Sequence, residues 1–172
     1  VTTSTTGSIT CSRCTAGGLT LSGGGILGGG SGSITLYNLT LDGASATTTV
    51  STSLTVQKDV SVGANRTLSL GAQSLDVGGS GVTNSGGISV TGTLSQSASG
   101  TTTVKSSSAG AATVGGSGTI TFYNLSFLPD VASAPTFTLG AAASQAITVS
   151  NVLTVGNGTN AVTVTAETND PT

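Results

Sequence analysis

The 172-residue sequence contains no histidine, methionine or tryptophan. Without histidine no side chain carries an ordinary pKa near neutrality, so acid–base chemistry would fall to six carboxylates and four basic groups. Charged residues make up 6% of the chain, against about 25% in an ordinary globular domain. The net charge of −2 offers no basic surface for nucleic acid or an anionic membrane. No apolar run approaches the ~18 residues that would suggest a membrane span. Neither nucleic acid nor a bilayer is expected as a partner.

Glycine, serine and threonine fill the space that charge and aromatics leave; Gly alone accounts for 27 residues. Such a composition can mean disorder. Here hydrophobic residues still reach 35%, and they recur in short β-branched alternating runs. The first residue is Val rather than Met. The chain therefore reads as processed or as a piece of a longer one, with any signal peptide already removed. Together with a surface of Ser and Thr in place of Lys and Glu, this points to an extracellular, cell-surface location.

A twelve-residue signature occurs twice. Gly-Ser-Gly-Ser-Ile-Thr-Leu-Tyr-Asn-Leu-Thr-Leu spans 30–41, and Gly-Ser-Gly-Thr-Ile-Thr-Phe-Tyr-Asn-Leu-Ser-Phe spans 116–127. The offset, 120 − 34 = 86, is half the chain length. A second pair, 54–63 and 147–156, is offset by 147 − 54 = 93. The difference implies an insertion of about seven residues near Leu128–Pro135. Alternation fails at Tyr37-Asn38: Ile34 and Leu36 share one face, Leu39 and Leu41 the next. A bend is expected there.

Further three- to eight-residue runs such as Leu54–Val56, Thr67–Leu70 and Ile88–Val90 are bounded by Gly, Asn, Ser or Asp. No stretch has helical periodicity. The chain is thus all-β, and many short strands fit either a sandwich or a solenoid. Single apolar triplets, glycine at the breaks and internal copies favour a β-solenoid. At roughly 20 residues per coil and about 4.8 Å per step, it would make about eight short coils and a rod near 40 Å long. Residues 1–18 read as an N-terminal arm or strand carrying the cysteines, and 19–172 as one solenoid domain of two similar halves. The alternative is a pilin-like β-sandwich that polymerises by strand donation.

Thr67-Leu-Ser-Leu-Gly71, Leu75-Asp-Val-Gly-Gly79 and Val82-Thr-Asn-Ser-Gly-Gly-Ile-Ser-Val-Thr-Gly-Thr-Leu94 resemble repeats of filamentous-haemagglutinin-type bacterial surface proteins. The Tyr-Asn signature likewise resembles repeats of large secreted adhesin-like proteins. The resemblance covers roughly Leu19 to Val164 and implies a right-handed parallel β-helix on the cell surface.

Candidate chemistry is sparse. Asp42, Asp59, Asp76, Asp130, Glu167 and Asp170 scatter through turns, and the basic residues are Arg13, Lys58, Arg66 and Lys105. They read as solvated turn charges, so no enzyme activity, metal or cofactor is expected. Cys11-Ser-Arg-Cys14 lacks the βαβ context of a redox motif and a second pair for zinc. A disulfide, within the pair or to a neighbouring subunit, is the preferred reading. Four sequons begin at Asn38, Asn65, Asn124 and Asn157. Asn65 and Asn157 lie in apparent turns. Asn38 and Asn124 lie at the expected bend, where an inward amide bonding stacked backbone competes with glycosylation. Thr47-Thr-Thr49 and Thr101-Thr-Thr103 suggest the threonine ladders of flat, ice-binding solenoids. A regular Thr-x-Thr on one face of every coil is not visible, so threonine is read as β-propensity on a solvated face.

An open solenoid end leaves unpaired backbone groups, and neither terminus offers a helical cap. The expected function is therefore a structural subunit of an extracellular homopolymeric filament, built by head-to-tail β-stacking or strand addition. Its assembly segments would be Val1–Ile9 and Val162–Thr168, the latter including Val164. The alternative is an adhesin stalk or binding module that meets glycans or other cell-surface components.

Overall fold

A computed structural model describes residues 9–10, 18–29, 33–78, 86–106, 111–129, 135–140, 145–160 and 162–166. In these residues the chain is a parallel β-solenoid with three faces and no helix. The first, short turn comprises β1 (Ile9–Thr10), β2 (Leu19–Leu21) and β3 (Gly25–Leu27). Next come β4 (Ile34–Leu36), β5 (Leu39–Leu41) and β6 (Ala46–Val50), then β7 (Leu54–Val56), β8 (Asp59–Val62) and β9 (Arg66–Gly71). The fourth turn is β10 (Leu75–Val77), β11 (Gly87–Val90) and β12 (Thr93–Gln96). It is followed by β13 (Thr101–Ser106), β14 (Ala111–Gly116), β15 (Thr119–Pro129), β16 (Thr136–Leu139), β17 (Ile147–Val155) and β18 (Thr163–Ala166).

Face 1 stacks β1, β4, β7, β10, β13 and the second halves of β15 and β17. Face 2 is the seven-stranded sheet from β2 to β18. Face 3 stacks β3, β6, β9, β12 and the first halves of β15 and β17. Because β15 and β17 run unbroken round the corner from face 3 to face 1, those two faces form one eleven-stranded sheet. From β4 to the first half of β17 there are five full turns, fewer than the expected eight. The reason lies in the turn length. Ile34, Leu54, Leu75, Thr102, Leu125 and Leu153 form one register column. Successive turns along it take 54 − 34 = 20, then 21, 27, 23 and 28 residues. Much of the extra length lies between faces 1 and 2, where the connection from β10 to β11, 78–86, takes nine residues against two between β4 and β5.

Alternation decides which side chains enter. Leu68 and Leu70 of β9 are buried while Thr67 and Ser69 point out, and β7, β8 and β10 follow the same rule. The interior is a stack of aliphatic columns, for example Leu39–Val60–Ile88–Val114 on face 2. Each fully buried Leu, Ile or Val contributes about 1.5–3 kcal/mol. That offsets the roughly 1–2 kcal/mol of backbone entropy lost per ordered residue. Towards the C-terminal end Phe122, Phe127 and Phe137, one from each face, fill the core; the last two rings pack tilted with centroids 4.8 Å apart.

The bend at Tyr37-Asn38 is present. Ile34, Leu36, Leu39 and Leu41 are all buried, with the first pair on face 1 and the second on face 2. The second copy turns a different corner: Ile120 and Phe122 lie on face 3, Leu125 and Phe127 on face 1. The pair 54–63 and 147–156 is displaced in the same way. What is repeated is a strand–corner–strand unit that serves at more than one corner, and an offset of 86 residues is not a whole number of turns.

Polar side chains stitch each corner. Between faces 1 and 2, Asn38 Oδ1 accepts the Asp59 N–H at 3.0 Å. Between faces 3 and 1, Gln96 is buried; its Nε2 donates to the Gln73 carbonyl at 2.8 Å and its Oε1 accepts the Tyr123 N–H at 3.2 Å. Between faces 2 and 3, the guanidinium of Arg66 is wholly buried. It donates to the carbonyls of Ser22, Gly23 and Ala44 at 3.1, 2.6 and 3.1 Å and to Thr48 Oγ1 at 3.4 Å. One side chain thus ties three successive turns. The expectation of Arg66 as a solvated turn charge is corrected: it shares strand parity with Leu68 and Leu70, which sends it inward.

At this same corner backbone stacks on backbone. A Cβ on Gly118 would meet the Gly92 carbonyl oxygen, and one on Gly92 would meet those of Gly63 and Arg66. Gly118→Ala is expected to cost about 2–3 kcal/mol, the range for overpacking a close contact. A lowered urea midpoint with an unchanged slope would check this.

Candidate functional site

The charged residues do not converge. Lys58 pairs with Asp59 at 3.5 Å and Lys105 with Asp76 at 3.6 Å, both partly exposed. Such pairs contribute about 0–1 kcal/mol. Asp42 is exposed, and its Oδ1 accepts the Gly43 N–H at 2.7 Å. Arg13, Asp130, Glu167 and Asp170 lie outside the described residues, as do Cys11, Cys14 and Val1. A shallow depression of about 320 Å³ on face 2 is bordered by Asp59, Ser61, Ser89 and Thr113. It exists because Gly87 and Gly115 place no side chain between them. Asp59, already paired with Lys58, is its one carboxylate among the described residues.

The sequons divide into two kinds. Asn38 and Asn124 are half-buried. Asn124 Nδ2, the atom a sugar would occupy, donates to the Gly100 carbonyl at 3.2 Å, while its Oδ1 accepts from Asn151 Nδ2 at 2.8 Å. Asn65 is exposed at a positive φ of 61°. Asn157 is exposed, and its Oδ1 accepts the N–H groups of Thr159 and Asn160 at 3.0 Å each, leaving Nδ2 outside that turn. Peptide mass mapping after expression through a eukaryotic secretory pathway is expected to find glycan at Asn65 and Asn157 and none at Asn38 or Asn124.

The ends of the rod show what the aliphatic columns do when stacking stops. β17 and β18 each pair on one side only among the described residues, as do β1, β2 and β3 at the other end. Leu153 and Val155 continue the core columns of Leu125 and Phe127. With no further described strand stacked on β17, they are 51% and 47% exposed, and Val152 beside them is 48% exposed. Val162 and Val164 are half-buried, and β1 pairs through Ile9 with Ile34 of its own chain.

The outer surfaces differ from one another. On four successive turns of face 3 the outward positions include Thr47 and Thr49, then Thr67 and Ser69, Thr93 and Ser95, Thr119 and Thr121, while on β3 below them Ile26, 57% exposed, lies in register with Thr49. Registered pairing aligns them as two ranks: Thr47–Thr67–Thr93–Thr119 and Thr49–Ser69–Ser95–Thr121, the latter continued by Thr148. A Thr-x-Thr on every turn is absent, as two of the four turns carry Thr-x-Ser, but the hydroxyl side chains are ranked. Threonine 47 to 67 is a step of 20 residues and the next two steps are 26, so the regularity is visible only once variable connections are folded away. Face 1 carries one rank, interrupted by Asp76. On face 2, Asp59, Gly87 and Gly115 interrupt the ranks.

The chain matches no family model, no curated protein and no solved structure. Of the resemblance expected from the sequence, the β-solenoid fold alone is present.

Proposed function

We propose that the chain is a structural subunit of an extracellular homopolymeric filament that assembles end to end by β-stacking. The observation that carries this reading is the last described turn, where Leu153 and Val155 continue the buried columns of Leu125 and Phe127 yet lie half exposed. Burying such side chains against the first turn of a second copy would remove them from water. It would also pair the open edges of β17 and β18 with those of β1 and β2. The contact is apolar and backbone-mediated, with partner and subunit identical in sequence. An adhesin stalk, in which further solenoid turns of a longer chain cover the same ends, is the second reading, and the open C-terminal columns favour it equally.

Sedimentation velocity separates the two. A filament subunit forms species that grow with concentration. Because no described charge lies among the exposed side chains of β17, molar sodium chloride leaves them intact, whereas contacts between exposed charges weaken with salt. A single monomeric boundary at every concentration overturns the filament reading in favour of the stalk.

A further inference from the structure

We propose that face 3 is an ice-binding surface. The ligand would be a crystalline water plane rather than a molecule, matched by the periodicity, composition and accessibility of this one face.

Periodicity comes from the fold. In-register parallel stacking sets the hydroxyls of one rank about 4.8 Å apart, and positions i and i+2 along a strand set the two ranks about 6.6 Å apart. A two-dimensional grid of that size lies close to the oxygen repeats on the planes of hexagonal ice. Four successive turns hold the grid without interruption, from Thr47 and Thr49 to Thr119 and Thr121. Threonine supplies a hydroxyl that bonds water and a methyl group that orders it. Its β-branch stiffens χ1, so the array is positioned before it meets a surface and little side-chain entropy remains to be lost on binding.

Composition singles this face out. Faces 1 and 2 also carry outward threonine, but they tolerate the Asp76–Lys105 and Lys58–Asp59 pairs and the glycine gaps at 87 and 115. On β6, β9, β12 and the first half of β15, the outward positions are Thr or Ser except Gly71 at the end of β9; below them Ile26 of β3 occupies the foot of one rank. A charged group would hold a hydration shell that a lattice cannot match. The one charge on these strands, Arg66, points into the core. Accessibility follows from the corners. Those leading into face 3 at 42–45, 63–65, 91–92 and 117–118 are at most four residues long, so a flat solid can approach the grid over these turns. A crystalline polysaccharide would favour aromatic platforms, and neither tyrosine is among the outward positions of face 3: Tyr37 and Tyr123 lie at corners.

The test uses the full chain in an ice-recrystallisation assay, with single ice crystals viewed during slow cooling. Native protein is expected to slow recrystallisation and to facet the crystals. Thr67→Lys and Thr93→Lys, each placing a charge in the middle of the grid, are expected to abolish both effects while circular dichroism stays native. Thr55→Lys on face 1 is expected to leave both effects in place. Ice growth indistinguishable from buffer overturns the proposal, and so does equal loss in Thr55→Lys. Pelleting with crystalline cellulose or chitin in the absence of any effect on ice overturns it in favour of a polysaccharide surface.

Discussion

Arg66→Ala is expected to destabilise the first turns of the solenoid by about 3–5 kcal/mol, since each buried group left without its partner costs about 1–3 kcal/mol. The substitution removes the donors to Ser22, Gly23, Ala44 and Thr48 and empties the space of a wholly buried side chain. The three carbonyls belong to two turns below Arg66, so the loss is regional. In a solenoid each turn contacts only its neighbours. Hydrogen exchange is therefore expected to accelerate in β2, β3, β5 and β6 while β13 to β16 keep their protection. Arg66→Lys restores the charge but not the planar fork, and is expected to recover only part of the loss. Uniform acceleration along the whole chain, or none, would show that the guanidinium does not tie these turns.

A second large effect is expected from Leu153→Asp and Val155→Asp. Both positions are about half exposed in the isolated chain, so an introduced carboxylate reaches water. Folding stability should then change by no more than about 1 kcal/mol, as for other substitutions away from a sealed core. In an end-to-end assembly the same carboxylate would be shut against the first turn of the next copy, where an unpaired charge costs several kcal/mol. Self-association is expected to disappear in sedimentation velocity while the urea midpoint stays near that of the native chain. Assembly that survives both substitutions would place the contact elsewhere.

The corner at Tyr37-Asn38 and the inward pairs Ile34/Leu36 and Leu39/Leu41 are legible in the sequence, because a failure of alternation has one geometric meaning. The same holds for triplets such as Leu68-Ser69-Leu70, whose outer members are buried. Turn number is not legible. Ile34 to Leu54 takes 20 residues and Leu75 to Thr102 takes 27, and the surplus lies in connections that carry no hydrophobic signal. That surplus also hid the threonine ranks of face 3, whose members are regular in space and irregular along the chain. Arg66 was readable in principle, since its parity with Leu68 and Leu70 marks it as inward. A guanidinium inside a narrow core makes sense only when the carbonyls of two lower turns are known to wait there. The open C-terminal columns depend on where stacking stops, which no local pattern records.

Electron microscopy of the native protein shows whether the ends of the solenoid stack. Face 2 has seven strand levels among the described residues, so end-to-end stacking predicts unbranched filaments with an axial repeat of about 34 Å, seven steps of ~4.8 Å. Isolated short rods at high protein concentration, with no axial repeat, would contradict the account.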